Sequence, residues 1–448
     1  SQQEKEVRQM SKTAIVLAGG GSRGAYQLGV WKALREMGVD YQLVTGTSVG
    51  ALNGTLMVQQ DYEKACQVWE NITSEDIVGD MLAEKGDLND HQLNRIFARE
   101  ALEKGGADIS YLEKFVYSLL DEEKFWNSEI DFALVTVEYP SLKPLELKKK
   151  DIPKGMLGEY LLASAACFPA FQTKEINGQR YIDGGYHDNM PVNLAIEMGA
   201  DEIIAVDLES VGVSRKIKKG NQRVTLIRSL WPLGSFLKFD GSLAKKNIRL
   251  GYLDTLKAFG SLDGQLYAFE KDSAFFYTSA LRSEAEKLFE RARKREPKIF
   301  SGIHTVLMRR MLREFRRRSL HTRAQHSFTL SRQLMMAAEY LGEACRMNPE
   351  EVYEFGHFLE LLQERVAEYR KRPFPQDFSD LRKVGEELKK IDKIFLVLLI
   401  RERIERYLQG GGTLGELVFA SAFWREFVAA IFLYLIEHLP KEEFILEE

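Results

Sequence analysis

From Thr13 onward, short apolar runs alternate with stretches of helical periodicity, and this alternation restricts the fold more than any other feature. TAIVLAG (13–19) predicts a buried strand, and Ala25–Met37 predicts a helix with its apolar residues on one face. A short strand around Tyr41–Thr45 and a helix from Ala51 follow. Strands that alternate with helices indicate an α/β domain with a mostly parallel sheet flanked by helices.

The same alternation continues through the first half of the chain. Further strands are predicted at Phe132–Glu138, Tyr181–Ile182 and Glu202–Asp207, and a helix is predicted to open near Pro191. We therefore predict an N-terminal tail over residues 1–12 and an α/β domain over residues 13–265.

Beyond about Lys271 helical periodicity takes over, which predicts an all-helical C-terminal domain over residues 271–448. The stretch Arg282–Arg323 holds 14 Lys or Arg against 5 Asp or Glu, an excess of 14 − 5 = +9. Such a stretch fits either a solvated helical face paired with acidic helices or a surface that lies against anionic lipid.

Two apolar runs in this region, Ile394–Ile400 and Phe427–Ile436, are shorter than the ~18 residues that a membrane span requires. They fit a helical core, a membrane-docking face or a dimer surface, and the oligomeric state stays open.

Composition excludes several classes of protein. The net charge of −4, from 62 basic and 66 acidic residues, gives no bulk reason to expect nucleic-acid binding. The three cysteines, Cys66, Cys167 and Cys345, are too few for a disulfide framework or a zinc site with paired ligands. Because the first twelve residues are polar and no secretory signal is visible, we expect a cytoplasmic protein, with peripheral membrane attachment as the second option.

A glycine-rich loop follows the first predicted strand and opens the first helix. It reads Gly19-Gly20-Gly21-Ser22-Arg23-Gly24, which fits the Gly-x-Gly-x-x-Gly pattern of dinucleotide binding. Backbone amides exposed at a helix N-terminus would equally bind the oxyanion that forms during acyl transfer.

A second motif, Gly46-Thr47-Ser48-Val49-Gly50, lies between a predicted strand and a predicted helix. In this context Gly-x-Ser-x-Gly is typical of a nucleophile elbow, in which a tight turn raises the serine hydroxyl out of the sheet.

A third segment, DGGYHDNMP, starts with Asp183, Gly184 and Gly185 after the apolar stretch RYI. Alone it predicts only a turn. Together the three segments supply an oxyanion site, a nucleophile and a base, which are the parts that an ester hydrolase requires.

These three segments resemble those of the patatin-like phospholipases, a family of acyl hydrolases. ASAACFPAF (163–171) is similar to the small-residue helix and Pro-containing turn that the family carries between elbow and aspartate. The order and spacing match over residues 13–265. The resemblance implies the family's three-layer α/β fold and a phospholipase A or lysophospholipase type of esterase that acts on phospholipids or other acyl-ester lipids.

The resemblance also implies a catalytic dyad in which Ser48 is the nucleophile and Asp183 takes its proton directly, without a metal or another cofactor. Arg23 lies where the family carries a basic residue, which would brace the loop, offset negative charge or face solvent. A Ser48–His187–Asp188 triad is the alternative, because imidazole suits general-base work at neutral pH.

Two other functions stay open. One is a catalytically silent lipid-binding or scaffolding protein. The other is a nucleotide-binding module that uses the GGGSRG loop, which would need an acidic residue at the end of the second strand. Asp40 is the nearest candidate, but it precedes that strand.

Overall fold

The computed structural model describes most of the 448-residue chain, over residues 12–81, 90–218, 220–319, 327–373, 392–413 and 423–440. Residues 1–11 of the predicted tail lie outside the described residues. Among the described residues the chain forms two compact units, of which the first ends at Phe259 and the second begins at Gly260.

Over its described residues, the first unit contains eight strands that form one sheet. They are β1 (Thr13–Leu17), β2 (Leu43–Thr47), β3 (Asp131–Tyr139), β4 (Pro144–Lys148), β5 (Lys174–Ile176), β6 (Gln179–Asp183), β7 (Glu202–Asp207) and β8 (Arg223–Arg228). Its helices are α1 (Ala25–Glu36), α2 (Val49–Gln59), α3 (Tyr62–Asn71), α4 (Ser74–Val78), α5 (Asp90–Lys104), α6 (Ser110–Leu119), α7 (Glu122–Asn127), α8 (Leu157–Ala165), α9 (Val192–Glu197) and α10 (Gly241–Ala258).

The sheet is mostly parallel, as predicted. Its strand order is β5-β6-β3-β2-β1-β7-β8, with β4 paired to β3. Strands β3, β2, β1, β7 and β8 run parallel, whereas β4, β5 and β6 make antiparallel pairs. Because β1, β2 and β7 are parallel neighbours, the loops after their carboxyl ends lie along one edge of the sheet.

Helices cover both faces of this sheet. Strand β1 alternates its side chains, so that Ile15 and Leu17 join a large core with residues of α1, α2 and α10. Ala14 and Val16 face the other way and pack with residues of the short α9. The predicted α/β fold with helices on both faces is therefore confirmed.

Strand β3 explains how two distant parts of the sequence meet. Strand β4 pairs along one edge of β3, so that β2 and β6 share the other edge. Thr47, the last residue of β2, pairs with Val135, and Asp183, the last residue of β6, pairs with the next residue, Thr136. The carboxyl ends of β2 and β6 therefore point at each other along β3.

The second unit is built mainly of helices. They are α11 (Phe275–Arg295), α12 (Pro297–Ser319), α13 (Leu330–Ala344), α14 (Phe355–Arg370), α15 (Lys393–Leu408) and α16 (Trp424–Glu437). The predicted helical character of this region is confirmed, with one addition. Strands β9 (Ala268–Phe269) and β10 (Val352–Tyr353) form a short parallel pair that the helical periodicity did not reveal.

Both apolar runs of the second unit lie in its core. Val397 of α15 and Leu433 of α16 are fully buried, and the two helices pack against each other. In the basic stretch, several cations pair with carboxylates of their own helix, as in Arg282–Glu286 at 2.8 Å. This pairing fits the interpretation as a solvated helical face, although these carboxylates lie on α11 and α12 themselves rather than on later helices.

Among the described residues, no helix is both long enough and apolar enough to cross a bilayer.

Candidate active site

Ser48 occupies a tight turn between β2 and α2. Its backbone has φ 56° and ψ −128°, in the left-handed region that non-glycine residues rarely adopt. The N–H of Ser48 donates to the Oγ of Ser164 at 2.9 Å, and that hydroxyl donates to the carbonyl oxygen of Val135 at 2.6 Å. Ser164 thus connects the turn to β3, and Ser48 lies in a tight strand-to-helix turn, as a nucleophile elbow requires.

The two glycines of the elbow are required by close backbone packing. A Cβ on Gly46 would lie 2.4 Å from the carbonyl oxygen of Gly50, and one on Gly50 would lie 2.2 Å from the carbonyl oxygen of Leu17. Neither backbone can move without displacing the helix or the central strand β1.

We expect Gly50→Ala to destabilise the protein by about 2 kcal/mol or more, because the added methyl group overlaps backbone atoms of β1. Gly302→Ala is the matched control, since Gly302 is an exposed residue of α12 with no atom within 4 Å of the added Cβ. We expect this control to be neutral or to stabilise the protein by about 0.5–1 kcal/mol. Urea unfolding of both variants measures the difference, and equal stabilities would contradict this description of the elbow.

Asp183 lies at the end of β6 beside Ser48. Its side chain is 6% exposed, and its Oδ1 accepts the N–H of Gly185 at 2.7 Å. Burial raises the pKa of the Asp183 carboxyl to about 6, while a side-chain hydrogen bond with Ser48 and the N–H of Gly185 both act to lower it. A buried carboxylate of raised pKa that lies beside a hydroxyl is placed to accept the proton of that hydroxyl.

Small residues after Asp183 let its loop pass close to the sheet. A Cβ on Gly184 would lie 2.1 Å from the carbonyl oxygen of Val135. Gly185 supplies the N–H that Asp183 accepts. The two predicted base-loop glycines thus allow the close approach and orient the carboxylate.

The glycine-rich loop lies directly against the elbow. A Cβ on Gly19 would come within 3.1 Å of the Cβ of Ser48. The N–H of Gly19 donates to the carbonyl oxygen of Asn189 at 3.0 Å, and the N–H of Ser22 donates to that of Phe236 at 2.9 Å.

The N–H of Arg23 is also engaged, since it donates to the carbonyl oxygen of Gly20 at 3.2 Å. In contrast, neither Gly20 nor Gly21 donates its N–H to a protein acceptor within the described ranges, and both residues line the cavity that contains Ser48. Of the predicted oxyanion loop, these two glycines therefore have N–H groups available for a ligand.

The side chain of Arg23 braces neighbouring loops. Its Nε donates to the carbonyl oxygen of Gly234 at 2.8 Å, and its Nη1 donates to those of Leu208 and Glu209 at 3.2 and 2.9 Å. The neighbouring Gly24 allows the side chain of Val49 to pack against the loop, because a Cβ on Gly24 would lie 2.5 Å from Val49 Cγ2. Of the roles open to Arg23, these contacts fit the bracing of the loop.

His187 is engaged away from the elbow. Its Nε2 lies 3.2 Å from Nη1 of Arg215 and 3.4 Å from Oε1 of Glu146. Burial raises the pKa of the neighbouring Asp188 carboxyl to about 7, and the guanidinium of Arg215, 4.0 Å away, opposes this rise. Among the described residues, no hydrogen bond joins His187 to Ser48, so the geometry gives the alternative triad no support.

Three further residues position the site, and the sequence patterns did not single them out. The carbonyl oxygen of Asn189 accepts the N–H of Gly19, and its Nδ2 donates to the carbonyl oxygen of Gly19 at 3.2 Å. Thr47 Oγ1 donates to the carbonyl oxygen of Asp188 at 2.7 Å. Ser164, which holds the backbone of Ser48, belongs to the ASAACFPAF segment. All three residues lie within quoted segments, Thr47 in GTSVG, Asn189 in DGGYHDNMP and Ser164 in ASAACFPAF, but the motifs gave none of them a role.

A cavity of about 610 Å³ opens beside Ser48 and Asp183. Apart from the catalytic candidates and the glycine loop, its walls are mainly apolar and include Leu52, Trp69, Phe97, Leu112, Phe115, Phe171, Leu237 and Phe239. A volume of this size is within the ordinary range for a small-molecule pocket. Its apolar walls suit a hydrocarbon chain better than a polar ligand.

In the ranges that the structure describes, no group of three or more His, Cys, Asp or Glu side chains is arranged to hold a metal ion. Strand β2 ends at Thr47 rather than at an acidic residue, so the acidic residue that a nucleotide-binding site would need is missing there.

Comparison with known sequences identifies the family of one segment of the chain. Residues 15–196 match the family described as patatin-like phospholipase. This segment is a patatin-like phospholipase domain. The predicted resemblance is therefore confirmed over the part of the chain that contains both Ser48 and Asp183.

Curated relatives of the patatin-like domain are moderately similar. Patatin-like phospholipase domain-containing protein 7 of Rattus norvegicus is 28% identical over 201 residues, which cover 44% of this chain and 14% of that protein. Lysophospholipase NTE1 of Candida glabrata is 27% identical over 246 residues, which cover 54% of this chain and 13% of that protein. The matched segment thus spans about one seventh of the length of these relatives.

Among solved structures, VipD from Legionella pneumophila aligns over 98% of this chain and 94% of its own, with a TM-score of 0.31 and 12% identity. The type III effector protein ExoU aligns over 91% of this chain and 87% of its own, with a TM-score of 0.30 and 14% identity.

Proposed function

We propose that this protein is a lipid acyl hydrolase of the phospholipase A or lysophospholipase type, which uses Ser48 as nucleophile and Asp183 as base. The observation that chiefly supports the proposal is that Ser48 and Asp183 line one apolar cavity, because β2 and β6 end at neighbouring residues of β3. The patatin-like phospholipase family supports a lipid acyl ester as the class of substrate.

Acylation uses the dyad and the glycine loop. Ser48 Oγ attacks the carbonyl carbon of the ester while Asp183 accepts its proton. The N–H groups of Gly20 and Gly21 donate to the oxyanion of the tetrahedral intermediate. The intermediate then collapses, the ester bond breaks, and Asp183 returns the proton to the departing alcohol or lysolipid. Ser48 is left as an acyl ester with the acyl chain in the apolar cavity.

Deacylation repeats the same steps with water as the nucleophile. Asp183 accepts a proton from the water as its oxygen attacks the acyl carbon, and the same two amides bind the second oxyanion. When the intermediate collapses, Asp183 returns the proton to Ser48 Oγ and a free fatty acid leaves. The scheme requires no metal and no other cofactor.

The test is to incubate the full chain with defined phospholipids, lysophospholipids and glycerides in the presence of a chelator and to measure the fatty acids released. We expect time-dependent release from at least one of these classes, unchanged by the chelator. If the protein binds these lipids but releases no fatty acid from any of them, it is a lipid-binding protein and the proposed function is wrong.

The position that is cut and the rate with each class would then define the type of hydrolase.

We also propose that the enzyme acts at a membrane surface, because its substrates reside in bilayers. The two units offer different candidate surfaces for this contact.

A further inference from the structure

We infer that the loop between β7 and β8, residues 208–218, is the surface by which the first unit docks on a phospholipid bilayer. The inference rests on the proposed function, since it names the surface from which the lipid substrate enters.

Exposed apolar side chains surround the opening of the cavity that contains Ser48. Val211 is 92% exposed, Tyr186 is 47% exposed and Val213 is 46% exposed, and all three line that cavity. Single exposed apolar residues are common on protein surfaces and need no explanation. Here, however, three of them line the same apolar cavity as Ser48.

Hydrogen bonds hold both ends of this loop in place. Arg23 binds the carbonyl oxygens of Leu208 and Glu209, and Asn193 Oδ1 accepts the N–H of Lys218 at 2.8 Å. The tip around Val211 therefore projects from two anchored ends. An anchored apolar tip loses little conformational entropy when it enters a lipid surface.

The loop is also bonded directly to the segment that carries the base. The N–H of Val213 donates to the carbonyl oxygen of Gly185 at 2.8 Å, and the N–H of Asn189 donates to that of Val213 at 2.9 Å. Gly185 in turn orients Asp183. Val213 is therefore joined by two backbone hydrogen bonds to the segment that follows Asp183.

Basic residues come after Val211 and Val213 in the sequence of the loop. Arg215 lies 3.4 Å from Glu146, and Lys218 lies 2.5 Å from Glu197. Lys216 is exposed and has no carboxylate partner in the described part of the chain. An apolar tip next to an unpaired cation matches a bilayer, in which acyl chains lie beneath anionic phosphate groups.

The test uses the full chain with Ser48→Ala, so that lipid is bound without being consumed. We compare the flotation of this protein, with and without Val211→Asp, on vesicles of phosphatidylcholine and phosphatidylserine. We expect Val211→Asp to weaken binding about tenfold, because one valine is no longer buried in the lipid. The difference between these vesicles and vesicles of phosphatidylcholine alone measures the part of the binding that the cations supply.

Val306→Asp is the matched control. Val306 is 42% exposed on α12, within the basic stretch of the second unit, and it does not line the cavity of Ser48. We expect it to leave flotation unchanged. If Val306→Asp abolishes binding while Val211→Asp has no effect, the docking surface lies on the helical unit and the inference is overturned. Equal binding by all variants would also overturn it.

A second readout separates this inference from the proposed function. With Ser48 restored, we measure the hydrolysis of a short-chain soluble ester and of vesicle lipid. We expect Val211→Asp to lower the vesicle rate at least about fivefold relative to the soluble-ester rate. If the unmodified protein hydrolyses neither, the proposed function fails while the flotation result stands. If the two rates change together, the docking role fails while the hydrolase remains.

Discussion

Replacing Ser48 with alanine is expected to lower kcat for a chromogenic acyl ester by about 10⁴-fold to 10⁶-fold, the range found when a catalytic serine is removed. The variant keeps the cavity and the amides of Gly20 and Gly21, but it has no atom that can carry the acyl group. Steady-state turnover, with a limit of detection at least 10⁴-fold below the unmodified rate, provides the measurement.

The variant must stay folded for this loss to be informative. Ser48 is anchored through its backbone N–H to Ser164, and its side-chain hydroxyl is not needed for that contact. We therefore expect an unchanged circular dichroism spectrum and at most a small change in unfolding temperature. Activity that persists within tenfold of the unmodified protein would exclude Ser48 as the nucleophile.

Replacing Asp183 with asparagine is expected to lower kcat by about 10⁴-fold while leaving the fold intact, in line with the loss of an essential carboxylate from comparable serine hydrolases. The amide keeps an oxygen that can accept the N–H of Gly185, but it cannot take the proton of Ser48. The same ester assay measures the loss. An Asp183→Asn variant of near-normal rate would show that another group acts as the base.

The raised pKa of Asp183 gives this prediction a second signature. Burial holds the pKa at about 6, so the unmodified enzyme should lose activity as the pH falls through about 6 and the base becomes protonated. The same burial gives the stability of the fold the opposite pH dependence, since stability falls as the pH rises. The folded state binds the proton of Asp183 more tightly than the unfolded chain does, and this stabilisation, complete below about pH 4, is lost as the pH rises through about 6.

Asp183→Asn removes the charged form altogether. Above pH 6 we therefore expect the variant to be more stable than the unmodified protein, by up to about 3 kcal/mol, although it is inactive. Urea unfolding at pH 5 and pH 8 tests the sign, because the stability gain should be larger at the higher pH. A variant that is less stable at both values would contradict the interpretation of Asp183 as a buried carboxylate of raised pKa.

Much of the first unit was predictable from local patterns. The strand at Glu202–Asp207 and the helix that begins at Ala25 lie where periodicity predicted them. The strand before Ser48 was predicted to end at Thr45 and extends to Thr47. Gly46 continues the pairing with β1 and β3 in spite of its low strand propensity, and Thr47 continues the pairing with β3.

The meeting of Ser48 with Asp183 depends on an arrangement that local patterns do not contain. Strands β2 and β6 lie end to end along one edge of β3, with Thr47 opposite Val135 and Asp183 opposite Thr136. Sequence motifs name the residues, but only the register of strands far apart in the chain brings them together. The same limit applies to Ser164 and Asn189, whose contacts cross more than 100 residues.

Backbone hydrogen bonds also determine which residues of the glycine motif have a free N–H group, a difference that the motif itself does not contain. The motif offers six consecutive residues as oxyanion donors, yet Gly19, Ser22 and Arg23 donate their N–H groups to other carbonyl oxygens. Such partners come from distant loops at Asn189 and Phe236, or from the local turn at Gly20. The composition of the loop therefore predicts that amides are available but does not predict which ones.

Reaction of the full chain with a fluorophosphonate, followed by peptide mass spectrometry, tests the proposed chemistry most directly. We expect one phosphonylated residue, Ser48, whose labelling proceeds in step with the loss of esterase activity and slows as the pH falls through about 6. Complete inactivation with the adduct on another residue, or full esterase activity after Ser48 is quantitatively labelled, would contradict the assignment of Ser48 as the nucleophile.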